Sequence, residues 1–207
     1  MPVTPPLNPG DAPSESQSTL EQVKGENGNG EVPTEYQMMA HVPAFLGDAH
    51  ANRQKYVDHG SEALTHPHRE ALALATSVAN NCKSCTRAHA QACEQAGWSE
   101  AEVAEIVAVA STGAMYNFFY KYRDAVSDEH LKGIKPMLRA HTWRGTSLDT
   151  VLVELIATIV SVVNSCHHCI DAHTNKALEA GATHEQIEAA IRLAAAMTAY
   201  NTYFRSQ

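Results

Sequence analysis

The sequence lacks any continuous apolar segment of the roughly 20 residues that a membrane-spanning helix needs. Its first residues, MPVTPPLNPGD, lack the basic start and apolar core of a secretory signal peptide. Only 15 of the 207 residues are Lys or Arg, they are spread thinly, and the formal net charge is −8. Nucleic-acid and anionic-membrane surfaces need concentrated basic patches. We therefore expect a cytoplasmic protein that binds neither nucleic acid nor a membrane.

Large apolar residues are also scarce in the first 34 residues, which are rich in Pro, Gly, Ser, Asn and Glu. Such a composition offers too little apolar surface to offset the entropy that is lost on ordering. We predict that residues 1–34 form an extended or disordered N-terminal arm, with a strap lying on the core or on a neighbouring subunit as the alternative. Residues 35–207 are expected to form a single domain.

Alternation of polar and apolar residues, the pattern of a half-buried strand, is almost absent from Tyr36 onward. This part of the chain is rich in Ala, and its apolar residues recur every three or four positions. Both features predict an all-α fold. We place the helices near residues 36–48, 50–63, 67–80, 82–96, 100–122, 127–140, 149–164, 166–180 and 184–204.

An internal repeat becomes visible when the sequence is shifted by 84 positions without a gap. The shift superimposes a glutamate, two cysteines and a histidine of each half. These residues are Glu70, Cys82, Cys85 and His89 in the first half and Glu154, Cys166, Cys169 and His173 in the second. The chain thus contains a duplicated unit, at about residues 65–122 and 149–206. We expect the two halves to pack about a pseudo-twofold axis within the single domain.

Cysteine is scarce as well: the five residues, an odd number, form two C-x2-C pairs plus Cys93. In a reducing compartment such a set indicates redox or metal chemistry rather than a framework of structural disulfides. Cys93 has Ala177 at the equivalent position of the second half, so we interpret it as a small buried core residue. A c-type haem is excluded, because no histidine directly follows either second cysteine.

The spacing of Cys82, Cys85 and His89 places all three side chains on one face of a helix. Glu70 lies twelve residues before Cys82, which is about 18 Å in an unbroken helix, so the chain must turn back to bring them together. The pair Asn80-Asn81 is a suitable helix breaker. The resulting antiparallel hairpin places Glu70 opposite His89, and the second half repeats this geometry at the equivalent positions.

Thiol redox chemistry needs such an arrangement, because the thiolate is the nucleophile and an ordinary thiol, with a pKa of about 8.5, is mostly protonated at neutral pH. A helix N-terminus stabilises the anion, and a histidine held by a carboxylate can remove the proton. A second cysteine can condense with the sulfenic acid that a peroxide forms on the first, and an external dithiol then reduces the disulfide.

Zinc bound by two Cys, one His and one Glu is the alternative, although structural zinc sites commonly use a second pair of cysteines.

The segments NNCKSCTRAHA (80–90) and ELIATIVSVVNSCHHCIDAH (154–173) resemble the alkyl hydroperoxidase D and carboxymuconolactone decarboxylase superfamily, whose redox branch carries E-x11-C-x2-C-x3-H. The resemblance covers about residues 40–205. It implies a helical fold, a homo-oligomer, commonly a trimer or hexamer, and reduction of a hydroperoxide by the cysteine pair without a cofactor or metal. It also implies a dithiol reductant such as a lipoyl protein or a thioredoxin. The decarboxylase branch lacks the cysteine pair, so we do not expect that reaction.

The resemblance further implies the catalytic residues. In the second half they are Glu154, Cys166, His168, Cys169 and His173. In the first half they are Glu70, Cys82, Cys85 and His89, with Ser84 in the place of His168.

The thiol that meets the peroxide is a separate question. Position at a helix N-terminus favours Cys82 and Cys166, whereas the spacing to the histidine and the resemblance favour Cys85 and Cys169, which we choose. We predict a thiol-dependent hydroperoxide reductase with two C-x2-C centres, each activated by a Glu–His proton relay. Two other functions fit the residues: a general dithiol–disulfide oxidoreductase that acts on proteins, and a zinc-stabilised helical oligomer.

Overall fold

The computed structural model describes residues 2–207, and over this range it contains eleven α-helices and no strand. The prediction of an all-α fold is confirmed. The helices are α1 (Ser14–Glu26), α2 (Thr34–Met39), α3 (Pro43–Arg53), α4 (His66–Ala79), α5 (Lys83–Gln95), α6 (Glu100–Ala125), α7 (Glu129–Lys132), α8 (Thr142–Gly145), α9 (Thr150–Val163), α10 (His167–Glu179) and α11 (His184–Arg205). Among residues 2–207, no helix is both long and apolar enough to cross a bilayer.

The N-terminal segment differs from the extended or disordered arm that composition predicts, because residues 14–26 form α1. The buried residues of this helix, Ser16, Leu20 and Val23, recur at helical spacing and face α3. The Ser16 hydroxyl also donates a hydrogen bond to the carbonyl of Ala40, with an O–O distance of 2.9 Å. Three buried positions on one face are enough to dock a short helix, although they hardly change the average composition of the segment.

Two of the predicted helices are interrupted in the structure. The segment 36–48 is divided between α2 and α3, because Pro43 begins a new helix at a position where its missing N–H costs nothing. The segment 127–140 is helical only in α7, which ends at Gly133, and Pro136 follows in extended chain. A π-helical turn over Gln54–Asp58 continues α3.

The core forms around α4 and α9, which pack against each other at the centre of the molecule. Nine consecutive residues of α4, from Arg69 to Ser77, are buried, and α9 is buried to a similar extent. Each of these helices forms a hairpin with the helix that follows it, α4 with α5 and α9 with α10. The third helix of each half also packs against the first helix of the other half, α6 on α9 and α11 on α4. Both hairpins are therefore covered in part by the other half of the chain.

Polar contacts between the halves follow the 84-residue repeat. A buried serine of each hairpin meets a buried asparagine of the opposite third helix, and a basic side chain of that helix donates to a carbonyl at the hairpin turn. The contacts are Ser77–Asn201 at 3.3 Å with Asn117–Ser161 at 3.0 Å, and Arg205–Asn80 at 2.9 Å with Lys121–Asn164 at 3.2 Å. Because both members of each pair are present, the two hairpins are held in equivalent ways.

Docking of α1 can be tested by limited proteolysis, because Lys24 is the only Lys or Arg before Arg53. Trypsin needs an unfolded segment, and Leu20, which is 1% exposed, holds the helix against the core. Leu20→Ala removes about 2–5 kcal/mol of packing energy, so cleavage after Lys24 should become at least roughly tenfold faster. The loss of residues 1–24 is followed by mass spectrometry. Val3→Ala, at a position that is 75% exposed, is the control, and equal cleavage rates in all three proteins would contradict the docking of α1.

Candidate active site

A tight turn between the two helices of each hairpin positions the cysteines. Asn81 and Ser165 take the left-handed backbone conformation at these turns, with φ of 57° and 55°. Asn adopts this conformation more readily than most residues. The amide nitrogens of Cys82 and Cys166 then donate to the carbonyls of Ser77 and Ser161, at 3.1 and 3.0 Å, which ends the first helix and starts the second.

The first cysteine of each pair is the N-cap of its helix, and the second lies in the first turn. The structure joins Cys82 to Cys85 and Cys166 to Cys169 as disulfides. All four cysteines of the two pairs are buried, and Cys85, at 8% exposure, is the most exposed of them. The Cys82 sulfur also accepts the backbone N–H of Cys85 at 3.4 Å, as an N-cap side chain does.

Both hairpins bring the glutamate and the histidine of the repeated motif together. His89 Nδ1 lies 2.8 Å from Glu70 Oε2, and His173 Nδ1 lies 2.6 Å from Glu154 Oε2. The two histidines are buried, at 4% and 6% exposure. The side chain of Glu154 is 16% exposed, compared with 5% for Glu70, so the second pair is somewhat closer to solvent.

Two opposing effects act on the pKa of the Glu70 carboxyl group. Burial raises it, but the hydrogen bond and charge of His89, together with the charges of Arg53 and His66, outweigh burial and lower the pKa below its ordinary value. His66 Nε2 lies 3.7 Å from Glu70 Oε1. Glu70 is therefore ionised at neutral pH and can hold the imidazole of His89 through a charge-assisted hydrogen bond.

A cavity of about 350 Å³ opens beside the first centre and has Cys85 and His89 in its wall. The remainder of the wall comes from distant parts of the chain, and it is mainly apolar. The apolar surface comes from Met38, Ala88, Met197, Tyr200 and Phe204, and the polar groups of the wall come from Thr34, Glu35, Arg53, Ser84 and Gln207. A molecule in this cavity would lie next to Cys85 and His89.

Aromatic side chains surround the second centre. Trp143, in the linker between the repeats, meets the ring of His173 edge-on, with 5.3 Å between ring centroids, and stacks on Tyr116 at 5.4 Å. His168 lies on the exposed side of α10, where its ring is 4.8 Å from that of Tyr120. The structure thus places His168 beside Tyr120, outside the Glu154–His173 hydrogen bond.

Cys93 stands apart from both centres. It is fully buried and unpaired, and burial raises the pKa of its thiol to about 12, with the charges of Glu70 and Glu94 acting in the same direction. The thiol therefore stays protonated at neutral pH, and a protonated buried thiol is a poor nucleophile.

Sequence spacing did not identify Trp143 or Arg53 as neighbours of the centres. Trp143 belongs to a four-residue helix in the linker, and Arg53 precedes the repeated unit, so neither takes part in the 84-residue pattern. The pattern does contain a signal for Tyr116 and Tyr200, which occupy equivalent positions: Tyr200 lines the cavity of the first centre, and Tyr116 stacks on Trp143 at the second.

The zinc alternative requires several ligand side chains that converge on one point. Between residues 2 and 207, no group of three or more His, Cys, Asp or Glu side chains is arranged to hold a metal ion. The four sulfurs that could serve as ligands are joined in pairs as disulfides.

Comparison with known proteins places this site in a family. Alkyl hydroperoxide reductase AhpD of Brucella canis is 30% identical over 154 residues, which cover 74% of this chain and 86% of that protein. The protein of the same name from Coxiella burnetii is 29% identical over 157 residues, which cover 75% of this chain and 88% of the relative. The sequence profile of the carboxymuconolactone decarboxylase family matches twice, at residues 43–126 and 128–205. The chain therefore belongs to the carboxymuconolactone decarboxylase family.

Proposed function

We propose that the protein is a thiol-dependent hydroperoxide reductase with two C-x2-C centres, each activated by a glutamate–histidine pair and regenerated by an external dithiol. The main support is the hydrogen bond between glutamate and histidine in each C-x2-C hairpin, buried in the first at 2.8 Å and partly buried in the second at 2.6 Å. The similarity to proteins named alkyl hydroperoxide reductase supports the same class of reaction.

The glutamate–histidine pair would prepare the thiol for attack. With the carboxylate ionised, Nδ1 of the histidine donates its proton to the glutamate, and the lone pair on Nε2 is free to accept a proton from a cysteine. The resulting thiolate attacks one oxygen of the peroxide bond. As the O–O bond breaks, the sulfur becomes a sulfenic acid, and the departing alkoxide takes a proton from the imidazolium to leave as an alcohol.

The second cysteine of each pair would complete the cycle. Its thiol attacks the sulfenic acid sulfur, releases water and forms the disulfide, the state in which the structure shows both pairs. Two successive exchanges with an external dithiol return both cysteines to thiols and leave the reductant as a disulfide. One hydroperoxide and one dithiol are thus converted into one alcohol, one water and one disulfide.

We assign attack on the peroxide to Cys85 and Cys169. The cavity of the first centre supports this choice, because Cys85 and His89 lie in its wall. Cys82, by contrast, is a 1% exposed residue, and its sulfur accepts the amide N–H of Cys85. A hydroperoxide in the cavity would meet Cys85 first, and Cys82 would resolve the sulfenic acid.

The remaining features of the proposal concern partners and assembly. We take the reductant to be a lipoyl protein or a thioredoxin in the cytoplasm, where thiols are kept reduced. A homotrimer or hexamer would cover apolar side chains of α6 that a single chain leaves exposed, above all Phe118, at 77% exposure.

Thiol stoichiometry tests the proposal directly. The chain has five cysteines, and closing two disulfides leaves one, so mixing the reduced protein with hydrogen peroxide should lower the thiol count from five to one. Two hydroperoxides should be consumed per chain. Stopped-flow mixing measures the rate, and Ellman titration counts the thiols.

The chain unfolded in urea is the control, because it has the same cysteines without the glutamate–histidine geometry. Thiol loss that is no faster in the folded protein than in the unfolded chain would refute the proposal. Slow peroxide turnover with rapid reduction of protein disulfides would favour a general dithiol–disulfide oxidoreductase. Stoichiometric zinc, with unfolding by a chelator, would favour a zinc-stabilised oligomer.

A further inference from the structure

Equivalent residues form the two centres, but different segments of the chain cover them. Over the first centre lie α2 and α3, which contribute Met38 and Arg53 to the wall of the cavity. Over the second centre lies α8, which contributes Trp143. The segments that precede the two hairpins lie outside the 84-residue repeat. Their residues are therefore not equivalent in the two halves.

The cavity of the first centre is suited to an apolar ligand. Its volume of about 350 Å³ is at the lower end of the ~300–1,000 Å³ of small-molecule sites, and it is about ten times the ~30 Å³ of a water molecule. Met38, Met197 and Phe204 lie in the wall beside Cys85. Burial of an apolar group against these side chains is favourable, and hydrogen peroxide has no such group.

Trp143 lies at the equivalent place in the second centre. Its ring contacts Tyr116 and His173, at 5.4 and 5.3 Å between centroids. Tyr116 and His173 are the equivalents, 84 positions along the chain, of Tyr200 and His89, which line the cavity of the first centre. Trp143 therefore occupies the space that corresponds to the cavity.

We propose that the two centres differ in substrate. The Cys82–Cys85 centre reduces hydroperoxides that carry an uncharged apolar group, and Trp143 restricts the Cys166–Cys169 centre to small hydroperoxides such as hydrogen peroxide. This inference rests on the proposed function. At both centres R–OOH and two thiols give R–OH, water and one disulfide, with R an apolar carbon group at the first centre and hydrogen at the second.

Two double variants isolate the centres. Cys166→Ser with Cys169→Ser retains only the first centre, and Cys82→Ser with Cys85→Ser retains only the second. Each protein is assayed with cumene hydroperoxide and with hydrogen peroxide, using excess dithiothreitol as the reductant. The ratio of kcat/KM for cumene hydroperoxide to kcat/KM for hydrogen peroxide should be at least about tenfold higher at the first centre.

Two alanines provide a matched pair of substitutions. Ala88 lines the cavity, and Ala172 is its equivalent in the second half. In the protein that retains the first centre, Ala88→Leu should raise KM for cumene hydroperoxide about tenfold and change KM for hydrogen peroxide less than about twofold. Ala172→Leu in the same protein should change neither value.

Trp143→Ala is the complementary change. In the protein that retains the second centre, it should raise kcat/KM for cumene hydroperoxide about tenfold by opening the occupied space.

Cumyl alcohol, the reaction product, gives a second measurement that needs no Trp143 variant. It should compete with cumene hydroperoxide at the first centre and not at the second.

The outcomes distinguish this inference from the function on which it rests. Equal substrate ratios at the two centres, with no effect of Ala88→Leu, would overturn the inference and leave the proposed function intact. Failure of both centres to reduce either peroxide would overturn the proposed function itself. If Ala88→Leu raises KM for dihydrolipoamide and leaves cumene hydroperoxide unaffected, the cavity binds the reductant and the inference is wrong.

Discussion

Replacement of both Cys85 and Cys169 by serine is expected to slow the reduction of cumene hydroperoxide at least about a thousandfold. A serine hydroxyl does not ionise at neutral pH, so it cannot supply the anion that attacks the peroxide. The substitutions also leave Cys82 and Cys166 without a partner for a disulfide. The measurement is single-turnover consumption of peroxide by the reduced protein, followed by stopped flow.

The matched variant, with serine at 82 and 166, separates attack on the peroxide from closure of the disulfide. If Cys85 and Cys169 attack, this protein should still consume one molecule of hydrogen peroxide per centre and accumulate sulfenic acid that dimedone traps. Dimedone adducts on Cys82 or Cys166 of the first variant, formed at the wild-type rate, would reverse the assignment. Equal rates in the wild type and both variants would mean that these sulfurs do not react with the peroxide.

The hairpins of the candidate site could be predicted because their geometry is local. Contact between Glu70 and a residue nineteen positions later requires a turn, and Asn81 is able to form one. The structure has Asn81 at a φ of 57° and Glu70 Oε2 at 2.8 Å from His89 Nδ1. Spacing, helix periodicity and one helix-breaking residue are sufficient for such an inference.

The surroundings of the centres depend on contacts between distant residues, and spacing contains little information about those. Met38 and Phe204 lie in the same cavity wall although more than 160 positions separate them in the chain. Trp143 reaches the second centre from a linker whose helix is four residues long. No periodic pattern indicates where such a segment will pack, so the difference between the two centres emerged only from the folded chain.

The errors in helix placement have a related cause. Composition describes an average over a segment, whereas docking of α1 depends on individual positions such as Leu20. Periodicity, in turn, extended the predicted helix from 127 to 140 past Gly133 and Pro136, although both residues favour an earlier end. In each case one or two residues decided the local structure against the trend of their neighbours.

Replacement of Glu154 by Gln is expected to slow peroxide reduction at the second centre about a hundredfold at pH 7, when the first centre is inactivated by serine at 82 and 85. Gln has the shape of Glu but no charge. Its amide can also donate a hydrogen bond to Nδ1 of His173, which places the imidazole proton on Nε2 and removes the base. The rate should recover at high pH, where the thiol ionises without help. The midpoint of the pH–rate profile should thus rise toward the value of about 8.5 for an ordinary thiol.

The corresponding change at the first centre, Glu70→Gln with serine at 166 and 169, tests whether the carboxylate acts through its histidine. Because the pKa of Glu70 lies below its ordinary value, Glu70 stays charged at neutral pH, and a change of the profile in that range does not come from its own titration. Glu70 is less exposed than Glu154, so water can replace its carboxylate less well, and the loss of rate should be larger at the first centre. A lower rate with an unchanged profile at both centres would mean that the glutamates only support the fold.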